Sequence, residues 1–167
     1  GGKWDFEYKY AANTTFKWGA SVTQHRFEPG VSSFGWSDGG VNVDTSFGSV
    51  PQTALDNVVY GLADIALNDR LRVNLGFHGN QFEVGSKKYL SVQPRFSARY
   101  LVSEKGSFKW SYVQMAQFMH LLANQTIGLP TDLWVPATEK VRPQESWQTA
   151  AGYAYNLGKG WELSLEA

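Results

Sequence analysis

Three histidines, His25, His78 and His120, are the residues best suited to proton transfer or metal binding in this chain. No two of them stand two or four positions apart, so a metal centre would need ligands brought together from separate strands. Service as hydrogen-bonding residues of a polar interior or a loop is the plainer reading. Cysteine is absent, which removes thiolate zinc sites, cysteine nucleophiles and disulfides. Serines are present, and Gly35-Trp36-Ser37-Asp38-Gly39 has the Gly-x-Ser-x-Gly spelling, but no strand and helix flank it to make a nucleophile elbow. Gly35 to Gly40 has no strand and helix around it to make a phosphate loop. Arg95 and Arg99, with Arg70 and Arg72, could form a basic strip facing an anionic ligand; the alternative is inter-strand pairing with Asp or Glu. Trp36, Asp38, Asp132 and Trp134 fall on long connections, where rigid aromatics beside acids either grip a ligand or pack the loop. The candidate ligand contacts are therefore Trp36, Asp38, His78, Arg95, Arg99, His120, Asp132 and Trp134. No catalytic set, metal centre or cofactor is expected, so a binding protein is anticipated rather than an enzyme.

The elements that must hold these residues are strands. From Lys3 to Tyr10 the chain sets Lys3, Asp5, Glu7 and Lys9 on one face and Trp4, Phe6, Tyr8 and Tyr10 on the other, the two-residue repeat of a strand. The same alternation predicts eight strands, near 3–10, 15–26, 57–67, 70–80, 88–102, 107–119, 146–157 and 161–167. Fifteen charged residues lie in these spans, and twelve fall on the polar face: Lys3, Asp5, Glu7, Lys9, Lys17, Arg70, Arg72, Arg95, Arg99, Lys109, Glu162 and Glu166. Arg26 and Lys88 lie at strand ends. Asp64 lies in a run, Val58 to Leu67, that is apolar on both sides and has no assignable face.

Composition fits a sheet with one wholly apolar face. The 167 residues are 43% hydrophobic and 18% charged, with 15 basic against 15 acidic side chains, and they include 7 Trp, 8 Tyr and 10 Phe beside 17 Gly. Neutral charge leaves no basic surface for nucleic acid, and the apolar content argues against disorder. No run reaches the roughly 18 apolar residues of a membrane helix, and the first residues lack the pattern of a signal peptide.

Connection lengths alternate. Ala11 to Thr14, Asn68-Asp69, Ser103 to Gly106 and Gly158 to Gly160 read as tight turns. Phe27 to Asp56, Gln81 to Lys87 and His120 to Glu145 read as links of about thirty, seven and twenty-six residues; two structureless loops above about 15 residues are rare in compact soluble domains but ordinary for outer-membrane barrels. Trp4, Tyr8, Tyr10, Tyr100, Phe108, Trp110, Tyr153, Tyr155 and Trp161 are read as gathering near the tight turns, as in an interfacial girdle. A membrane barrel is thus expected, with a soluble or secreted all-β binding module (a sandwich) or a passive outer-membrane pore as alternatives. Because the turn order puts both chain ends at the long-loop side, residues 1–167 read as a partial barrel domain, without a plug or a C-terminal strand.

Phe108 to Ser146 carries the most specific resemblance. Tyr112, Met115, Gln117, Phe118 and His120 to Leu122, then Leu129 to Pro136, then Val141, Pro143 and Ser146 resemble a strand, long extracellular loop and returning strand of TonB-dependent outer-membrane receptors of Bacteroides type. The stretch Asp56 to Val102 also resembles that family, with two departures: Asp64 stands alone where an acidic pair is usual, and His78 stands where Arg is common. The resemblance covers roughly Thr14 to Ala167. It implies an all-β, antiparallel up-and-down meander within a 22-stranded barrel of the Gram-negative outer membrane, surrounded by lipid and filled by a plug domain. It further implies energised import, through TonB, of a scarce nutrient such as an iron chelate, haem, cobalamin or a glycan. The transported ligand is not specified, and no TonB-contacting segment lies in this chain.

Overall fold

Alternation becomes strand throughout the computed structural model, which describes residues 1–27, 32–38, 41–47, 51–123, 132–138 and 140–167. The side chains of 28–50, 122–133 and 139 lie outside the described part. Twelve strands form: β1 (Gly2–Ala11), β2 (Thr14–Phe27), β3 (Ser32–Asp38), β4 (Val41–Phe47), β5 (Gln52–Ala66), β6 (Leu71–Val84), β7 (Lys87–Leu101), β8 (Gly106–Gln117), β9 (Met119–Ala123), β10 (Asp132–Pro136), β11 (Gln144–Gly158) and β12 (Trp161–Glu166). Eight of them make one antiparallel meander in the order β1-β2-β5-β6-β7-β8-β11-β12, and the eight expected spans are these eight strands. The sheet is open, with β1 and β12 at its edges.

Two long links hold hairpins of their own. β3 pairs with β4 between β2 and β5, and β9 pairs with β10 between β8 and β11. The third expected long link is instead a tight turn. β6 and β7 continue pairing up to Val84 and Lys87, leaving Gly85-Ser86 between them, and Gly85 takes the left-handed φ of 56° that a Cβ disfavours. At the opposite end, side chains fix the turns. Asn68 Oδ1 accepts from the backbone N–H of Arg70 and Leu71 at 2.9 and 2.8 Å, and Ser103 Oγ accepts from those of Lys105 and Gly106 at 3.3 and 3.0 Å.

Register assigns the faces that alternation left open. Ala63 and Gly61 oppose Leu75 and Phe77, so Val59, Gly61, Ala63 and Ile65 join the apolar face, while Val58, Tyr60, Leu62 and Asp64 join the polar one. The apolar face is open: Trp18, Phe77 and Leu75 keep 44%, 49% and 48% of their surface. Its aromatics touch one another laterally, with Phe6 stacked on Trp18 at 5.9 Å and Phe96 against Trp110 at 5.0 Å. One indole there is satisfied within the sheet. Trp110 Nε1 donates to Thr149 Oγ1 at 3.0 Å, and that hydroxyl donates to the Ser111 carbonyl at 3.1 Å. Trp4 departs from the expected girdle, since it opposes Ala20, away from the β1–β2 turn.

Toward the β6–β7 turn the two faces exchange character. The face that carries Leu71, Val73, Leu75 and Phe77 goes on to Gln81 and Glu83, and the register adds Lys88 and, on β2, Arg26. Lys88 Nζ donates to Glu83 Oε1 at 2.9 Å, and this bond, followed by one from Gln81 Nε2, holds the Glu83 carboxyl below its ordinary range. The other face, polar below, here buries Phe27, Ala54, Phe82 and Val84 with Phe118. Phe82 and Phe118 stack at 5.2 Å, and Tyr89 donates its hydroxyl to the Thr138 carbonyl at 2.7 Å, so the chain flanking the β9–β10 hairpin folds onto this cluster.

Candidate functional site

The polar face gathers almost every charge of the strands, and most find partners there. Lys17 on β2 meets Glu7 on β1 at 3.2 Å, directly across the ladder, and Lys3 meets Asp5 at 3.1 Å. Arg72 forms a two-point pair with Asp64, Nε to Oδ1 at 2.7 Å and Nη2 to Oδ2 at 2.9 Å. These pairs are largely exposed, so each contributes about 1 kcal/mol or less to stability. For Arg72, cross-strand pairing is therefore the outcome, and the expected strip including Arg70 does not form as one row: Arg70 lies in the β5–β6 turn, its backbone N–H bound to Asn68.

Arg99 behaves differently. It stands directly between Arg72 and Lys109 on the neighbouring strands, and among the described residues neither Arg99 nor Lys109 has a carboxylate within ion-pair distance. Beside them a recess of about 360 Å³ opens on the polar face, its lining including Asn74, Ser97, Arg99, Lys109, Ser111 and Glu166. Gly152 clears its floor between Lys109 and Glu166, and the Glu166 Cγ lies 3.2 Å from where a Cβ on Gly152 would sit.

Further along the face, His78 stands between Tyr60 and Gln93. Next to it Asn80 is buried and donates through Nδ2 to Asp56 Oδ1 at 2.7 Å, while His25 Nε2 lies 4.0 Å from Asp56 Oδ2. Asn80 Oδ1, His25 Nε2 and His78 Nδ1 are buried with no protein hydrogen-bond partner. Such atoms are where a water or a ligand oxygen completes the bonding. Tyr60 reaches across Gly19, whose missing side chain is required: a Cβ there would lie 2.5 Å from the Tyr60 hydroxyl and 2.4 Å from the Trp4 carbonyl oxygen.

The structure thus brings His78, Arg95 and Arg99 onto one face, with Arg95 opposite Gly76 and Val113. It places the other expected contacts on the hairpins. Trp36 and Asp38 belong to β3, opposite Val43 and Val41, and Asp132 begins β10 opposite Ala123; their side chains lie outside the described part. Trp134 is half exposed opposite Leu121, and His120 is buried opposite Val135 with Nε2 unpartnered. Sequence reasoning missed Lys109, Asp56 and Asn80 as site residues. Lys109 was legible as a polar-face charge, but its position against Arg99 follows from register alone. Among the described residues no group of three His, Asp or Glu is arranged to hold a metal ion. Among the described residues the face offers hydrogen bonds, ion pairs and, at Arg99 and Lys109, two adjacent cations without a carboxylate partner. Comparison of the chain with protein-family models, curated proteins and solved structures finds no match in any of the three.

Proposed function

We propose that this chain is part of the wall of an outer-membrane β-barrel of the TonB-dependent receptor kind, which captures a scarce nutrient and passes it inward along its polar face. One observation carries the reading. An exposed apolar face runs across all eight strands of the meander, and its charges, Arg26, Glu83, Lys88 and Glu145, stand only toward the end of the β6–β7 turn, away from the β1–β2, β5–β6, β7–β8 and β11–β12 turns. An exposed apolar patch of that extent marks a surface that is covered in use. Lipid fits its dimensions: the apolar run is Leu71 to Gly79 on β6 and Leu90 to Tyr100 on β7, which at ~3.3 Å per residue and a tilt near 40° gives a band of roughly 23 to 28 Å.

Two further features support the same reading. The indole N–H of Trp110 is satisfied within the wall rather than by water, as hydrocarbon surroundings demand. Both edge strands, β1 and β12, are exposed along their length, which suits strands that pair with further wall. A 22-stranded closure, a plug domain and energy coupling through TonB rest on the sequence resemblance. Fractionation of the native gene product, with detergent extraction, tests the proposal. Recovery in the outer-membrane fraction, released only by detergent, is expected. Recovery as a folded protein in plain buffer would instead point to a sandwich whose apolar face packs on a second sheet.

A further inference from the structure

We propose that the recess beside Arg99 and Lys109 is a binding site for an oxyanion, the phosphate or carboxylate group of a small solute. The inference stands on the polar face alone and holds whatever covers the opposite face.

Three other cations of this face sit against acids, Lys17 on Glu7, Lys3 on Asp5 and Arg72 on Asp64, while Lys9 and Arg95 stand singly among the described residues. In the row Arg72, Arg99, Lys109 the register instead sets three cations directly opposite one another on adjacent strands, where like charges repel. Asp64 is occupied by both nitrogens that Arg72 offers it, so it answers only one of the three. The remaining pair faces open volume, about 360 Å³, within the size range of small-molecule sites. The next row supplies neutral hydrogen-bonding groups at Asn74, Ser97 and Ser111, which are mutually in register. A planar guanidinium, an ammonium and two hydroxyls around one hollow make the donor set that an oxyanion takes. Glu166 is the opposing element. It lies beyond Gly152 in the same row without an ion pair, and it lowers affinity for the anion while remaining unpaired.

Titration calorimetry of the folded protein with inorganic phosphate and, separately, with citrate tests the site. One saturable site for at least one of the two is expected, and which anion binds identifies a phosphate or a carboxylate site. Arg99→Gln and Lys109→Gln are each expected to weaken binding by about tenfold or more. Arg70→Gln, in the turn outside the recess, should leave it unchanged, and Glu166→Gln should tighten it severalfold. Tryptophan emission matching the parent protein establishes that each variant is folded. Absence of saturable binding of either anion up to about 10 mM overturns the proposal, as does equal weakening by Arg70→Gln and Arg99→Gln.

Discussion

Leu75→Arg probes the apolar face at its centre. Leu75 lies midway along the apolar part of β6, flanked by Ala63 and Phe96, with 48% of its surface open. In lipid, an arginine near the midplane costs about 2 to 4 kcal/mol. Lateral packing adds little, because only about half of the side chain is covered and the arginine stem retains part of that contact. Were the face in water, an exposed substitution of this kind would stay within about 0.5 kcal/mol. The neighbouring Asn74→Arg points to the opposite face, beside the recess, where one more cation in an exposed cross-strand row costs about 1 kcal/mol or less. The two variants should therefore differ by roughly 1 to 4 kcal/mol, with Leu75→Arg the worse. Urea unfolding in lipid vesicles, followed by tryptophan emission, measures this directly. Trp18, Trp110 and Trp147 stand on the apolar face and report its transfer from lipid to water. Equal losses for the two variants, or a loss below about 0.5 kcal/mol for Leu75→Arg, would refute the assignment of that face to lipid.

Phe82 is 1% exposed and stacks on Phe118, so Phe82→Ala should cost about 3 to 5 kcal/mol at the hairpin end and speed proteolysis between β8 and β11. Thr149→Val removes the acceptor of the Trp110 indole and should cost about 1 to 3 kcal/mol in vesicle unfolding, with Trp110→Phe in the same background restoring part of it. Gly19→Ala drives a Cβ against the Trp4 carbonyl oxygen, and a loss of about 1 to 3 kcal/mol with faster amide exchange along β1 is expected. Glu83, beyond the apolar band, has its carboxyl lowered first by Lys88 and then by Gln81. Its contribution is complete above the ordinary glutamate pKa and is lost as pH falls through the lower folded value. The protection factor of the Gly85-Ser86 turn amides, with the intrinsic pH dependence of exchange divided out, should therefore fall on acidification below that range in the parent and stay level in Glu83→Gln.

Most of the meander was legible because one continuous apolar face imposes one phase of alternation on every strand. The Gln81 to Lys87 segment was misread for a related physical reason. Alternation continues there, but Phe82 and Val84 now occupy the face that carries Arg72 and Asn74 below. A pattern judged against a single phase sees Glu83 and Lys88 as the end of a strand, where the backbone in fact keeps pairing. The doubly apolar run Val58 to Leu67 was undecidable for the complementary reason, since Tyr60 fills the polar side over Gly19 and only the register shows it. At the site, residue types were visible and neighbours were not. Lys109 and Arg99 lie ten positions apart in sequence yet face each other across the ladder. His120, Asp132 and Trp134 belong to five-residue strands with too few alternations to stand out, whereas Trp36 and Asp38 belong to a hairpin whose alternation, Val41, Val43 and Phe47 against Asn42, Asp44 and Ser46, is present and was passed over inside a long link.

The exchange of face character near the β6–β7 turn also has a positional meaning. In the lipid setting proposed above, a wall with one uniform phase would ride up or down in the bilayer at little cost. Here a slide of two residues toward the tight turns would draw Arg26, Glu83 and Lys88 into hydrocarbon, and the opposite slide would lift Leu90 and Val92 into water. Both displacements are opposed by the same few residues, so the change of phase acts as a depth gauge written into the strands. It keys the meander to one height, with Phe82 and its neighbours always above the polar interior.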